Sequence, residues 1–214
     1  MSSVPPGGPV RLVTMSATYG AGGSLLARRL ADRLGLRFDD RVISADTAAE
    51  LESLTDEERA SSPPSRWLSA LARVAAMVPS APVPMETNID PVAELRQRSE
   101  QHISAAIAQG PTLFLGRAAA IALAGWAGAY HIRLDGPLDR RIARAMTIED
   151  ADEGQARRRC ETTDRARSQF VRRLYGVDPG NPSHYHVVLD PTVLSGDDVV
   201  EILAIAATAF WSRH

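Results

Sequence analysis

The segment VRLVTMSATYGAGGSLLARRLADRLG, residues 10–35, constrains the fold more than any other part of this chain. Residues 10–16 are apolar and partly β-branched, as in a buried strand, and residues 24–34 repeat leucine at helical spacing before Gly35, a helix stop signal. The glycine-rich turn between them lets backbone N–H groups converge at the N-terminus of the following helix, where the helix dipole favours an anion. The segment therefore predicts an anion-binding loop between a buried strand and a helix.

The loop differs from the usual phosphate-binding pattern at its most important charge. That pattern, G-x-x-x-x-G-K-[ST], places a lysine against the terminal phosphates of a nucleotide. When Gly22 and Ser24 are aligned with its end, Gly23 replaces the lysine and Ala17 replaces the first glycine. A nest of backbone N–H groups needs no side chain, so phosphate binding is still expected, with the Ser24 hydroxyl as a ligand of Mg²⁺. A tight turn that binds nothing is the alternative. The residues expected to hold the phosphates are Tyr19, Gly20, Ala21, Gly22, Gly23 and Ser24.

The chain contains 24 basic residues, and all of them are arginine. Lysine nucleophiles and Schiff bases are therefore excluded, and cationic roles fall to arginine, histidine, the N-terminus or a metal ion. The net charge of −2 gives no general attraction to nucleic acid or to an anionic membrane. We expect no partner of either kind.

The remaining composition is that of an ordinary globular protein. The single cysteine, Cys160, excludes an internal disulfide and agrees with a reducing compartment. No apolar run is long enough to span a membrane and no secretory signal is visible, so we predict a cytoplasmic protein. Residues 1–9 are predicted to be a flexible leader, and residues 10–214 a single domain.

Strands and helices alternate along the domain. Besides residues 10–16, strands are predicted at 37–40, 112–116, 127–135 and 185–190, with helical patterns between most of them. Such alternation predicts an α/β fold whose five-stranded parallel sheet is covered on both faces. Residues 41–110 contribute helices but no strand and are expected to form a lobe over one end of the sheet. Residues 151–175 form a charged helix that carries seven arginines between Arg157 and Arg173.

Six segments together resemble one family of enzymes. They are YGAGGS, LGLRFDDRVI, SSPPSRWLSAL, FLGRAAAIAL, HIRLDGPLDRRIARAM and RARSQFVRRLYGVDPGNPSHYHVVLD, in order between residues 10 and 207. In this order and spacing the chain resembles the cytidylate kinase-like family of P-loop nucleoside monophosphate kinases. The resemblance implies a three-layer α/β/α fold of the P-loop NTPase type, a helical monophosphate-binding lobe at 41–110 and an arginine-rich lid with its following helix at 151–175. It also implies transfer of the ATP γ-phosphoryl group to a pyrimidine nucleoside monophosphate, with Mg²⁺.

The resemblance also implies which residues contact the acceptor. Arg117 lies in GRA, where related kinases have GRD at the monophosphate site, and Asp40 is expected to face the acceptor nucleotide or the metal. From the residues alone, Arg117 follows a core strand at the end where open α/β sheets bind ligands, and its alternative is a helix-start arginine facing water. A cap of the following helix explains Asp40 equally well.

The lid provides the arginines expected to contact phosphates and to assist catalysis, which are Arg165, Arg167, Arg172 and Arg173. Asp164 is expected to orient one of them through a paired hydrogen bond. The alternative is a solvated charged helix. If the lid supplies the missing charge, Arg172→Ala or Arg173→Ala should lower the transfer rate by about 10²-fold with little change in ATP affinity.

Three missing residues together favour a second hypothesis. They are the P-loop lysine, in whose place this chain has Gly23 and the family typically has glycine too, the arginine that the family often has at the position of Ala17, and the acidic residue after Arg117. The second hypothesis is a nucleotide-binding protein of the same fold with little or no kinase activity, and a third is phosphoryl transfer to an acceptor other than a nucleotide. Whether an arginine reaches the space above Gly23 distinguishes the first two. The acceptor base and the oligomeric state stay open at this point.

Overall fold

The protein is described by a computed structural model over residues 10–40 and 91–213. The predicted leader and residues 41–90 of the predicted lobe lie outside the described residues, so the domain boundaries stay predictions. In chain order the elements are β1 (Leu12–Ala17), α1 (Gly23–Leu34), β2 (Arg37–Asp39), α2 (Pro91–Ala108), β3 (Thr112–Leu115), α3 (Ala119–Ala122), β4 (Ala129–Leu134), α4 (Leu138–Glu149), α5 (Glu153–Tyr175), a 3₁₀ turn (Pro182–His184), β5 (Val187–Leu189) and α6 (Gly196–Trp211).

The five strands form one parallel sheet in the order β2-β3-β1-β4-β5. β1 lies at the centre, and its Leu12 is paired with Thr112 of β3 on one side and Ala129 of β4 on the other. The chain visits β2 and β3 on one side of β1 before it crosses to β4 and β5, so the carboxyl end of β1 is where an open α/β sheet binds ligands. The predicted α/β fold with a five-stranded parallel sheet is confirmed.

Side chains that alternate along β1 build two separate cores. Val13 and Met15 are buried in a cluster with residues of α1 and α6, including Leu26 and Leu203. Leu12 points to the opposite face, where it packs with residues of α2, β3 and the segment after α3. Helices therefore cover both faces of the sheet, which gives the three layers. None of the helices in the described part of the chain is long and apolar enough to cross a bilayer.

The sequence patterns and the structure differ mainly at the ends of elements. The strand predicted over 127–135 is limited to Ala129–Leu134, and the strand predicted over 185–190 to Val187–Leu189. The helix α3 and the 3₁₀ turn were not predicted, because four- and three-residue elements show no periodicity.

Candidate functional site

The glycine-rich loop is shaped by two residues in left-handed conformation. Gly20 and Gly22 have φ of 79° and 75°, which glycine adopts without strain. A Cβ atom on Gly20 would overlap the main-chain carbonyl of Arg141, and one on Gly22 would lie 2.6 Å from Nη2 of Arg144. The backbone of α4 therefore leaves no room for a Cβ at Gly20, whereas at Gly22 it is the left-handed φ that favours glycine.

The guanidinium of Arg144 lies against the loop at Gly22. Its Nη2 is next to Gly22, which immediately precedes Gly23, and its Nη1 donates to the Pro191 carbonyl at 3.1 Å. This arginine comes from α4, whereas the sequence interpretation sought the replacement cation on the lid. Arg141 and Arg144 were both missed, although their spacing of three on one helix places them on one face.

The loop amides are suited to an anion. Within the described residues, no side chain caps the N-terminus of α1, whose first-turn N–H groups have no partner inside the helix. The Ser24 side chain is exposed beside them. No group of three or more His, Cys, Asp or Glu residues in the described ranges could hold a metal ion. Mg²⁺ often takes few protein ligands and relies on substrate phosphates and water, so the exposed Ser24 hydroxyl fits a Mg²⁺ ion that arrives with a nucleotide.

Tyr19 fixes the loop to α4 and α5. Its N–H donates to Oδ1 of Asp164 at 2.7 Å, its carbonyl accepts from Nη1 of Arg141 at 2.7 Å, and its hydroxyl donates to Glu149. Asp164 also accepts from Arg141 through Oδ2 at 2.7 Å. Burial, together with Glu149, raises the pKa of Tyr19 to about 12, and burial raises the pKa of Asp164. Asp164 thus pairs with Arg141, a residue the sequence interpretation did not single out.

A cavity of about 80 Å³ lies between the carboxyl ends of β1 and β3, residues 116–121 and α5. Arg117 and Arg167, both predicted, line it together with Arg133 of β4, which was not predicted. Arg167 donates through Nη1 to the Ala17 carbonyl at 3.2 Å, and its guanidinium lies 5.9 Å from the centre of the Tyr19 ring. A lid arginine therefore contacts the position at which the family often has an arginine.

Arg133 lies in the cavity wall as a structural cation. It donates to Oδ2 of Asp135 at 2.7 Å and to the Pro179 carbonyl at 3.0 Å, and it lies over the ring of Tyr185. These contacts join β4 to the segment between α5 and β5.

Arg117 is held at the end of β2, and the two aspartates there have different parts in holding it. Nε of Arg117 donates to Oδ1 of Asp39 at 2.5 Å and to the main-chain carbonyl of Asp40 at 2.7 Å. Burial raises the pKa of Asp39, but hydrogen bonds and charges from His102 and Arg117 outweigh this and leave it below its ordinary value. Asp39 was not singled out from the sequence, and the role of the Asp40 carboxylate stays a prediction.

The other predicted lid arginines lie away from the cavity. Arg172 is 60% exposed and donates to Oδ1 of Asp178 at 3.1 Å. Arg165 and Arg173 are exposed on α5 and do not line the cavity. Of the four lid arginines, the structure brings Arg167 to the loop and the cavity.

The fold and the site together define a P-loop kinase-type protein. A glycine loop follows the central strand, and a cavity lined by arginines adjoins it. The sequence profile of the cytidylate kinase-like family matches residues 12–192, and the chain belongs to this family.

One relative that matches over almost its full length agrees with this assignment. A cytidylate kinase from Methanopyrus kandleri is 29% identical over 211 residues, which are 95% of this chain and 96% of that enzyme. A uronate isomerase from Corynebacterium glutamicum is 25% identical over 138 residues, but the match spans only 26% of that protein. The solved structure of an uncharacterized protein from Eubacterium ventriosum superposes with a TM-score of 0.62 at 15% identity, over 93% of this chain and 98% of that one. At this identity it shows a shared fold alone.

Proposed function

We propose that the protein transfers the γ-phosphoryl group of ATP to a pyrimidine nucleoside monophosphate such as CMP or dCMP. The observation that carries the proposal is the position of two cationic sites at the carboxyl end of β1. The guanidinium of Arg144 lies beside Gly22 of the glycine loop, and Arg117 and Arg167 line the adjoining cavity. Two phosphate groups that must react with each other need two such neighbouring sites. The choice of a pyrimidine rests on family membership and on the relative named cytidylate kinase.

The loop is the proposed donor site. Its amides would bind the ATP phosphates, and Arg144 would supply the positive charge that the absent lysine does not. Phosphoryl transfer depends on positioning and on stabilising charge, and one well-placed arginine is worth a factor of about 10³ to 10⁵ in rate. Mg²⁺, when bound with Ser24 as a ligand, neutralises charge on the phosphates.

The cavity is the proposed acceptor site. The planar fork of Arg117 suits a phosphate dianion, which it can bind through two parallel hydrogen bonds. Arg167, which also contacts Ala17 and Tyr19 of the loop, lies where the two sites meet. The packing of α5 against the loop would keep bulk water from the reacting phosphates.

The second candidate is a nucleotide-binding protein with little or no kinase activity. Gly23 favours it, since the loop itself carries no cation. The position of Arg144 favours the kinase, because the charge reaches the loop from α4.

The test is an assay of ADP release with Mg-ATP and, separately, CMP, dCMP, UMP, AMP and GMP, run beside calorimetric titration with ATP. We expect acceptor-dependent ADP release that is fastest with CMP or dCMP. Gly20→Ala is the matched control for a contaminating kinase, because its Cβ would overlap the main-chain carbonyl of Arg141 and the distorted loop should abolish the signal. ATP binding without turnover on all five acceptors would support the binding protein, and absence of ATP binding would overturn both candidates.

A further inference from the structure

The turn after β3 has an unusual backbone. Gly116, Arg117 and Ala118 have φ of 73°, 56° and 53°, so three consecutive residues are left-handed and two of them are not glycine. Residues with a Cβ avoid this conformation, which persists only where the surrounding structure holds it and which is concentrated at functional sites. The turn therefore places Arg117 at a cost, and its contacts show what holds it.

Arg117 is held on both its main chain and its side chain. Its carbonyl accepts from the Ser99 hydroxyl of α2 at 3.4 Å. Its Nε donates to Oδ1 of Asp39 at 2.5 Å and to the Asp40 carbonyl at 2.7 Å. The Arg117 side chain is only 12% exposed. Elements on two sides, β2 and α2, thus fix this residue.

Asp39 is itself held by His102, which lies three residues after Ser99 on α2. Nε2 of His102 is 2.6 Å from Oδ2 of Asp39, while the other carboxylate oxygen accepts from Arg117. With one partner on each oxygen, the carboxylate has a fixed orientation. His102 therefore acts on Arg117 through Asp39.

The position of this contact on the guanidinium determines what Arg117 can still bind. The hydrogen bonds to Asp39 of β2 and to the following Asp40 both use Nε, and within the described residues no acceptor contacts Nη1 or Nη2. Arg117 lines the cavity. The four N–H donors of the two η nitrogens are thus available to an oxyanion, in the fork that matches phosphate.

We propose that Asp39 and His102 are positioning residues, which hold Arg117 by Nε so that its two η nitrogens face the phosphate of the acceptor. The inference rests on the proposed function, because the phosphate is that of the acceptor monophosphate. Neither residue is expected to touch substrate.

The first test needs no ligand and measures hydrogen exchange of the Arg117 Nε–H by ¹⁵N-edited NMR, with Arg117→Ala to assign the signal. We expect His102→Leu to accelerate exchange by about tenfold, because Asp39 loses its second partner. His102→Gln keeps a donor near Nε2 and should stay within about threefold of the wild type. Gln101→Leu, an exposed neighbour on α2, is the matched control and should change nothing. An unchanged exchange rate in His102→Leu would show that His102 does not hold Arg117 through Asp39.

The second test measures steady-state kinetics with the best acceptor of the five nucleotides. We expect Asp39→Asn and His102→Leu to raise the KM for the acceptor by about 5- to 20-fold, with kcat and the KM for ATP within about twofold. His102→Gln should restore the KM. In an Arg117→Ala background, the same two substitutions should have no further effect, since they act through Arg117.

The positioning role would be overturned if the effects of Asp39→Asn and His102→Leu added to that of Arg117→Ala. It would also be overturned if these substitutions changed kcat and the KM for ATP as much as the KM for the acceptor. A wild-type protein that turns over none of the acceptors would overturn the proposed function instead. In that case the exchange measurement still decides whether Asp39 and His102 hold Arg117 by Nε.

Discussion

At the scale of single residues, a guanidinium beside the glycine loop belongs to α4, whereas the usual pattern places the cation in the loop itself. Gly23 carries no cation, but Nη2 of Arg144 would lie only 2.6 Å from a Cβ on the neighbouring Gly22. A guanidinium differs from an ammonium group, since it is planar, permanently charged and suited to paired hydrogen bonds with phosphate oxygens. The cation is therefore attached to α4 and does not depend on the loop sequence.

Arg144→Met should lower kcat by about 10²-fold or more, equivalent to about 3 kcal/mol, because methionine keeps much of the length without the charge. ATP affinity should fall by less than about fivefold, since the loop amides stay in place. Steady-state ADP release and calorimetric titration with ATP measure the two quantities. Because Arg144 also donates to Pro191, the unfolding midpoint of the variant must be compared with that of the wild type. A normal kcat in a folded variant would contradict this role.

Arg172→Met is the matched control on α5. The sequence pattern predicts a large loss for substitutions of this arginine, whereas its 60% exposure and its pairing with Asp178 predict a change of less than about threefold. A loss of about 10²-fold would restore the lid interpretation for Arg172.

At the scale of elements, α5 braces the glycine loop. Its N-terminus is capped by Asp152, whose side chain accepts from the Gln155 amide, and it ends at Gly176 with φ of 68°. Its buried positions recur three or four residues apart, which gives a continuous packing face. From that side of the helix Asp164 reaches the Tyr19 amide and Arg141.

Asp164→Asn should lower the free energy of unfolding by about 2–3 kcal/mol, because the buried Arg141 guanidinium loses its charged partner. The loss is at the low end for a buried ion pair, since asparagine can still accept from the Tyr19 amide and Asp164 is 22% exposed. Urea unfolding monitored by circular dichroism measures it.

Asp178→Asn, at the exposed ion pair after the other end of α5, is the control and should cost less than about 1 kcal/mol. Equal losses in the two variants would show that Asp164 does not brace the loop.

The helices and strands were largely predictable from the sequence, whereas the candidate site was predictable only in part. Strand and helix patterns such as those of β1 and α1 are local, and they agree with the structure to within a few residues. Arg141 and Arg144 were missed because their roles depend on how α4 crosses the loop, which no local pattern encodes. Asp39 ends β2 and Asp40 follows it directly, so no local pattern distinguishes the two carboxylates, and the choice between them depends on where α2 packs.

At the scale of the whole molecule, a buried polar pair joins two strands at the centre of the sheet. Oγ1 of Thr14 on β1 lies 2.8 Å from Nδ1 of His131 on β4, and these residues are paired in the sheet register. His131 is 5% exposed and its ring is stacked on His186, with centroids 4.9 Å apart. Burial, and next the charge of His186, lower the pKa of His131 to about 4. The folded protein therefore keeps this histidine neutral.

In the unfolded chain His131 binds a proton near pH 6.5, whereas in the folded protein it binds one only near pH 4. The contribution of this group to the free energy of unfolding is therefore fully present above pH 6.5 and is lost as the pH falls toward 4. The loss from this group should be about 2–3 kcal/mol. Denaturant unfolding at several pH values measures it, and His131→Gln should flatten the profile over this range. His184→Gln, in the 3₁₀ turn, is the control. If the pH profile of His131→Gln is as steep as that of the wild type, the acid sensitivity belongs to other groups.

The guanidinium over the glycine loop also determines how the site responds to chemical labelling. Nucleotide probes that carry an acyl phosphate mark a protein by transferring the acyl group to a lysine amine near the bound phosphates. Here the cation beside the loop is that of Arg144, and arginine stays protonated and does not accept the acyl group. Proteome surveys based on such reagents would leave this protein untagged even when its loop is fully occupied.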